Sequence, residues 1–254
     1  MIDSHVHLDS IFYHRDRNII LQKCRNAGIS QMINSGTSYE SSIKSLNLAK
    51  DCEHIYASVG VHPKVIDELD DNVLNKIKVL AQNSKVVAIG EIGLDYNFKG
   101  YNANLQKEGF KRQVELARNL DLPIIVHSRN AHEDVIKVLS SISLPRRGGM
   151  IHGFSGDENL AKAYIDLGFY ISIAGNVTYK NEQSILKAIK KIDIERILVE
   201  TDSPFLAPEP FRNKRNYPVN IKFIIEAIAQ VKNKGIEEIS ETTSENARRL
   251  FNIK

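Results

Sequence analysis

At 254 residues, 42% of them hydrophobic, the chain can bury a sizeable core, and α/β barrels of about 250 residues routinely form one domain. Its formal net charge of +3, 34 basic residues against 31 acidic, neither demands nor forbids a polyanionic partner. Two cysteines without CxxC spacing disfavour a thiolate metal site or a disulfide, residues 1–20 are too charged for a secretory signal, and no apolar run nears the roughly 18 residues of a membrane span, so a cytoplasmic protein is expected.

In chain order, short β-branched runs alternate with longer amphipathic ones. Met1–His7 reads as a strand, Arg17–Ala27 as a helix stopped by Gly28, Ser30–Ser35 as a strand and Tyr39–Lys50 as a helix. A strand at His54–Val61 leads to His62-Pro63, a helix follows at Asp71–Gln82, and Lys85–Gly90 runs as a strand into Glu91. The Asn104–Asn119 helix carries Leu105, Phe110, Val114 and Ala117 near the 3.6 period. Ile124–Val126 is a strand ending at His127, Ala131–Ser141 a helix, Gly148–Ile151 a strand ending at His152, and Asp157–Leu167 a helix. The pattern closes with a strand at Phe169–Ile173, a helix at Glu182–Lys191, a strand at Arg196–Val199 ending Glu200-Thr201-Asp202, and helices at Asn220–Asn233 and Ile236–Phe251. Eight strands alternating with helices predict a (β/α)8 TIM barrel spanning residues 1–254 as a single domain. The competing doubly wound sheet needs a glycine-rich turn after its first strand, where His-Val-His-Leu-Asp stands instead.

The catalytic face of such a barrel is the C-terminal mouth, built from strand ends. Those ends carry His5, His7, His62, Glu91, His127, His152 and Asp202, so five of the eight histidines fall at strand exits. Imidazoles and carboxylates without cysteine suit Mg²⁺, Mn²⁺ or Zn²⁺. Six ligands (His5, His7, Glu91, His127, His152, Asp202) exceed one closed tetrahedral site and fit two divalent ions about 3.5–4 Å apart that share a carboxylate. His14, His54 and His132 lie away from the mouth, and Lys85 sits at a strand start on the wrong face.

The runs S-H-V-H-L-D at 4–9, V-G-V-H-P at 59–63, G-E-I-G-L-D-Y at 90–96, L-P-I-I-V-H-S-R at 122–129, H-G-F-S-G at 152–156 and E-T-D-S-P at 200–204 together resemble the TatD family of metal-dependent hydrolases, in family order and through N-A-R-R-L-F at 246–251. The resemblance implies an amidohydrolase-type barrel. In it His5, His7, Glu91 and Asp202 hold one ion, Glu91, His127 and His152 the second, and Glu91 bridges, a post that related barrels give to a modified lysine. It also implies 3′→5′ exonuclease activity on the 3′ end of single-stranded DNA or RNA, with Glu91 and Asp202 catalytic and Asp202 passing a proton from water to the leaving oxygen. No membrane or obligate protein partner is expected. Hydrolysis of a small ester, lactone, amide or aminoacyl-tRNA bond on the same metals is the alternative.

For substrate contacts the sequence offers His62, Arg129, Arg212 and Arg215, with Tyr96, Phe205, Phe211 and Tyr217 as faces for stacking. Asp95 and Tyr96 are expected in a loop after Glu91, and Glu200, in phase with Asp202, is expected to support a ligand. Family members commonly read R-G-K-R-N-E-P where this chain has Arg212-Asn213-Lys214-Arg215-Asn216-Tyr217-Pro218, so Asn213 and Tyr217 depart from the pattern, and Gly153 stands where cysteine is common.

Overall fold

A computed structural model describes residues 1–254. Eight strands, β1 (Ile2–Val6), β2 (Gln31–Ser35), β3 (Ile55–Val59), β4 (Val86–Asp95), β5 (Ile124–Arg129), β6 (Gly149–Ile151), β7 (Tyr170–Ile173) and β8 (Ile197–Val199), form one parallel sheet in sequential order. Between and after them lie α1 (Arg17–Asn26), α2 (Tyr39–Asp51), α3 (Asp71–Leu80), α4 (Ala103–Asn119), α5 (His132–Ser140), α6 (Glu158–Asp166), α7 (Gln183–Lys191), α8 (Ile221–Lys232) and α9 (Ile236–Phe251). This is the expected (β/α)8 barrel. Side chains start several helices as local sequence dictates: Ser38, Asp70, Asn102 and Asp157 each accept an amide hydrogen of the first turn.

The ring shuts between its last and first strands. His7 donates its amide to the carbonyl of Ser203 at 2.8 Å, and Asp202 donates to the carbonyl of His5 at 3.0 Å. Buried Asp3 adds a clamp, accepting from the Thr201 amide at 2.9 Å and the Thr201 hydroxyl at 2.6 Å. The lower end is plugged by α9, whose Ala247, Leu250 and Phe251 pack with Ile2, Ile33, Val87, Ile125 and Leu198. Each such fully buried apolar side chain contributes roughly 1.5–3 kcal/mol relative to exposure. Asn246 ties that helix to the start of β8 by donating to the carbonyls of Ile194 and Ile197 at 2.8 and 2.9 Å. Lys85, at the lower rim, donates to the carbonyls of Cys52, Glu53 and Ile55.

Two strands differ from expectation. β4 runs ten residues, so Glu91 stands inside a strand rather than at its exit, and Asp95 is its last residue rather than part of a loop. β5 likewise continues through His127 to Arg129. The cause is Gly93, at φ +142, where a Cβ would lie 2.1 Å from the carbonyl oxygen of His127. Only glycine lets the two backbones approach so closely, and pairing continues from Gly93 opposite His127 to Asp95 opposite Arg129. Register shifts bracket both Glu91 (between Ile89 and Ile92) and His5 (between Asp3 and Val6), local irregularities that re-aim side chains from the simple alternation of a strand.

Candidate metal centre

Everything at the mouth turns on one carboxylate. Glu91 is buried, and its two oxygens face different partners. Oε2 lies 3.3 Å from Nε2 of His5 and 3.5 Å from Nε2 of His7, while Oε1 lies 2.8 Å from Nδ1 of His127, 2.9 Å from Nε2 of His152 and 3.3 Å from Nε2 of His62. On the Oε2 side Asp202 completes the group, with Oδ1 3.6 and 3.4 Å from the Nε2 atoms of His5 and His7. The structure therefore brings together all six residues that the sequence offers as metal ligands.

The outward ring nitrogens are also engaged. His7 Nδ1 donates to the carbonyl of Ser35 at 3.0 Å, and His5 Nδ1 meets the Ser35 hydroxyl at 3.0 Å. His127 Nε2 lies 3.3 Å from Asp95 Oδ2, and His152 Nδ1 lies 3.3 Å from Glu200 Oε1. Glu200 is itself held by the Gly153 amide at 2.7 Å and the Ser172 hydroxyl at 2.5 Å. With their outward nitrogens bonded to acceptors, His7, His127 and His152 turn their inner nitrogens toward Glu91 and Asp202. Such a convergence of ring nitrogens and carboxylate oxygens needs positive charge between them, as protons or as a metal ion.

Donor spacing fits a cation. A tetrahedral ion with ligands at about 2.0–2.1 Å separates its donors by roughly 3.3 Å, and the His5–His7, His5–Glu91 and His7–Glu91 edges measure 3.1, 3.3 and 3.5 Å. The electrostatics agree. Burial disfavours charge on His7, yet hydrogen bonding to Asp202 and the charge of Glu91 overcome it and raise the ring to about 9. Burial acts likewise on His152, and Glu91 and Glu200 raise it well above the usual imidazole range. The field that holds protons on these rings is the field that a divalent ion would answer. Asp202 and Glu91 stay ionised: burial pushes both up, and the surrounding imidazoles more than reverse it.

His62 differs from the other four rings. Its Nδ1 accepts the amide hydrogen of Lys64 at 3.1 Å, which leaves the proton on Nε2, pointing at Glu91. Burial lowers its pKa to about 4, so the ring is neutral and acts as a hydrogen-bond donor into the mouth.

The expected substrate arginines are placed less uniformly. Arg129 is exposed at the end of β5, on the side of His127. Arg212 is exposed and lies over the Tyr179 ring at 4.2 Å. Arg215 is committed elsewhere, with Nη2 2.5 Å from Asp16 Oδ2 and further bonds to the Phe12 carbonyl and the Tyr217 hydroxyl. Its guanidinium braces the loop after β8 against the loop after β1, a structural role in place of the expected phosphate contact. Phe205 is 53% exposed with its ring 6.0 Å from His7, whereas Phe211 packs on Phe223, and Tyr96 stacks on Tyr101 while donating to Asp134.

Both departures from the family pattern make local sense. Asn213 has φ +68, left-handed backbone that glycine or asparagine adopts most readily. The Tyr217 hydroxyl accepts from the Arg215 guanidinium and so helps hold it in place. Ser35, Asp3 and the Asp95–His127 contact escaped the sequence reading. Ser35 ends β2 beside β1, a neighbour relation that only strand register discloses.

A family model for TatD-related DNases matches residues 2–252. The metal-dependent hydrolase YabD of Bacillus subtilis is 37% identical over 253 residues, covering 100% of this chain and 99% of that one. YcfH of Escherichia coli, also a metal-dependent hydrolase by name, is 34% identical over 256 residues, covering 100% and 96%. Among solved structures, the TatD homologue YjjV of Escherichia coli superposes with a TM-score of 0.95 at 30% identity, covering 100% of this chain and 98% of that one.

Proposed function

The chain belongs to the TatD family of metal-dependent hydrolases, and from that premise we propose that it is a two-metal 3′→5′ exonuclease acting on single-stranded DNA or RNA in the cytoplasm. The observation that carries this reading is the divided carboxylate of Glu91, one oxygen facing His5 and His7, the other His127 and His152. With Glu91 between the two groups, His5, His7 and Asp202 would hold one divalent ion and His127 and His152 the other. Bound there, the ions would supply the Lewis acidity that activates water and neutralises the leaving oxygen of a phosphodiester.

The residues then divide the work. Asp202, kept ionised, accepts a proton from the attacking water; the phosphorus–O3′ bond breaks, and Asp202 returns that proton to the departing 3′ hydroxyl. The products are a shortened strand and a nucleoside 5′-monophosphate. His62 donates its Nε2 hydrogen to a non-bridging phosphate oxygen, and Arg129 and Arg212 contact the backbone beyond. Phe205, exposed beside His7, offers its ring to the terminal base.

Digestion of a 5′-labelled single-stranded oligonucleotide over Mg²⁺, Mn²⁺ and Zn²⁺ tests the reading. A ladder shortening from the 3′ end that disappears with EDTA and in Asp202→Asn supports it. Hydrolysis of model esters or lactones with no ladder in any metal would replace it with a small-molecule hydrolase.

A further inference from the structure

The face of the barrel opposite the metal ligands gathers charge of one sign. Where β6, β7 and β8 begin, a cavity of about 350 Å³ is lined by Arg146, Arg147, Arg196 and Arg249 and by no acidic side chain. Asp121, just outside, answers two of them: Arg146 Nη2 lies 2.7 Å from its Oδ2, and Arg147 donates to its carbonyl at 2.8 Å. Arg196 is laid over the Tyr170 ring at 5.3 Å, and neither it nor exposed Arg249 makes an ion pair. Four guanidinium groups thus line the cavity itself, while on its outer flank Arg196 also borders a second pocket that contains Glu158, Asp166 and Asp193.

Like charges so concentrated repel, and no carboxylate in the cavity's own lining answers them. Guanidinium forks match tetrahedral oxyanions, two N–H groups to two oxygens. A carboxylate has only two oxygens to share among these forks, whereas a phosphate carries up to two negative charges and three or more acceptors. Leu167 and Leu250 add an apolar wall, and the volume falls in the usual range for small-ligand pockets, about 300–1,000 Å³.

We propose that this cavity is a phosphate site, taking inorganic phosphate or the phosphate end of a small phosphomonoester, on the far side of the barrel from the metal ligands. The site is independent of the reaction performed at the mouth.

Calorimetric titration of inorganic phosphate and, separately, of adenosine 5′-monophosphate tests it. The titrations use the metal-loaded wild-type protein, Glu91→Gln, Arg196→Gln/Arg249→Gln, and Arg25→Gln/Lys44→Gln, which removes equal charge from exposed helix positions elsewhere. One phosphate per chain should persist in Glu91→Gln and in the charge control and weaken at least tenfold in the Arg196/Arg249 variant. Arg249→Gln alone, at an exposed position, should weaken binding at least threefold with an unchanged melting temperature. In Glu91→Gln, where the mouth is disabled, tighter binding of the nucleotide that is lost on adding Arg196→Gln/Arg249→Gln identifies an ester-borne phosphate, and equal or weaker binding identifies the free anion. Affinity within twofold of wild type in the Arg196/Arg249 variant, equal loss in the charge control, or loss confined to Glu91→Gln would each overturn the proposal.

Discussion

Asp202 and His5 are joined twice: the amide of Asp202 donates to the carbonyl of His5 at 3.0 Å, and the Asp202 carboxylate lies 3.6 Å from the His5 ring. Asp202 itself has φ +51, a left-handed conformation unusual outside glycine. Strain of this kind, on the order of 1–3 kcal/mol, persists where surrounding bonds over-determine it. Here Asp3, Thr201 and the seam bonds supply that constraint.

Removing the Glu91 charge, which faces both pairs of imidazoles, tests the centre most directly. In Glu91→Gln an amide would place N–H groups among lone pairs, so divalent metal per chain should fall by more than half, with hydrolysis down at least a thousandfold. Elemental analysis of the purified protein beside a kinetic assay checks both. Full metal content with full activity would refute the shared-carboxylate reading.

The acids behind the rings should matter less than the ligands and more than surface acids. Asp95→Asn and Glu200→Gln loosen the outward hold on His127 and His152 and should each weaken metal affinity by 10–100-fold. Competition against a fluorescent chelator measures this without reference to turnover. A change below twofold in both would show that these contacts orient nothing.

Chelation should also lower thermal stability. A ligand present at about 100 times its dissociation constant stabilises the native state by about 2.7 kcal/mol, which in a chain of this length shifts the melting temperature by roughly 5–10 °C. Calorimetry with and without EDTA reads the shift, and its reversal on adding Mn²⁺ attributes it to the metal.

Outside the centre, His132 should govern part of the acid response. Burial, with His127 nearby, lowers its folded-state pKa to about 4, against 6.5 in an open chain, and its Nε2 has no buried partner. As pH falls below about 6.5 the unfolded chain takes the proton first. Stability complete above that value is then lost progressively down to about 4, on the order of 2 kcal/mol. Urea unfolding midpoints compared between pH 7 and pH 4.5 should fall further in wild type than in His132→Phe, which has no proton to take up at this position.

Asn213 tests the family departure. Asn213→Gly should leave stability within about 0.5 kcal/mol, whereas Asn213→Ala, forced to φ +68, should cost about 1 kcal/mol. Equal unfolding midpoints in the two variants would mean that the loop relaxes to another conformation.

Nearly all of the architecture was readable from alternation of short β-branched runs with amphipathic segments, and helix bounds such as Ile236–Phe251 coincide with the structure. The candidate ligands were readable because each imidazole or acid follows directly on a short β-branched run, whether the strand stops there or, as at Glu91 and His127, runs on. What escaped was set by register. Glu91 lies inside β4 because Gly93 lets that strand run on beside His127, and nothing in the local pattern announces so close an approach. Arg215 looked like a free cation because its partner Asp16 stands 199 positions away. Side chains whose partners are distant in sequence are the ones that motif reading misassigns.

The clamp of Asp3 on Thr201 joins positions 198 apart. On the ribosome the amino-terminal imidazoles emerge long before the acid they await. Until the last strand arrives, the early histidines can offer a passing ion only half a grip. A chain stopped before its last strand would lack both the Asp3 clamp's partner and the acid that faces His5 and His7.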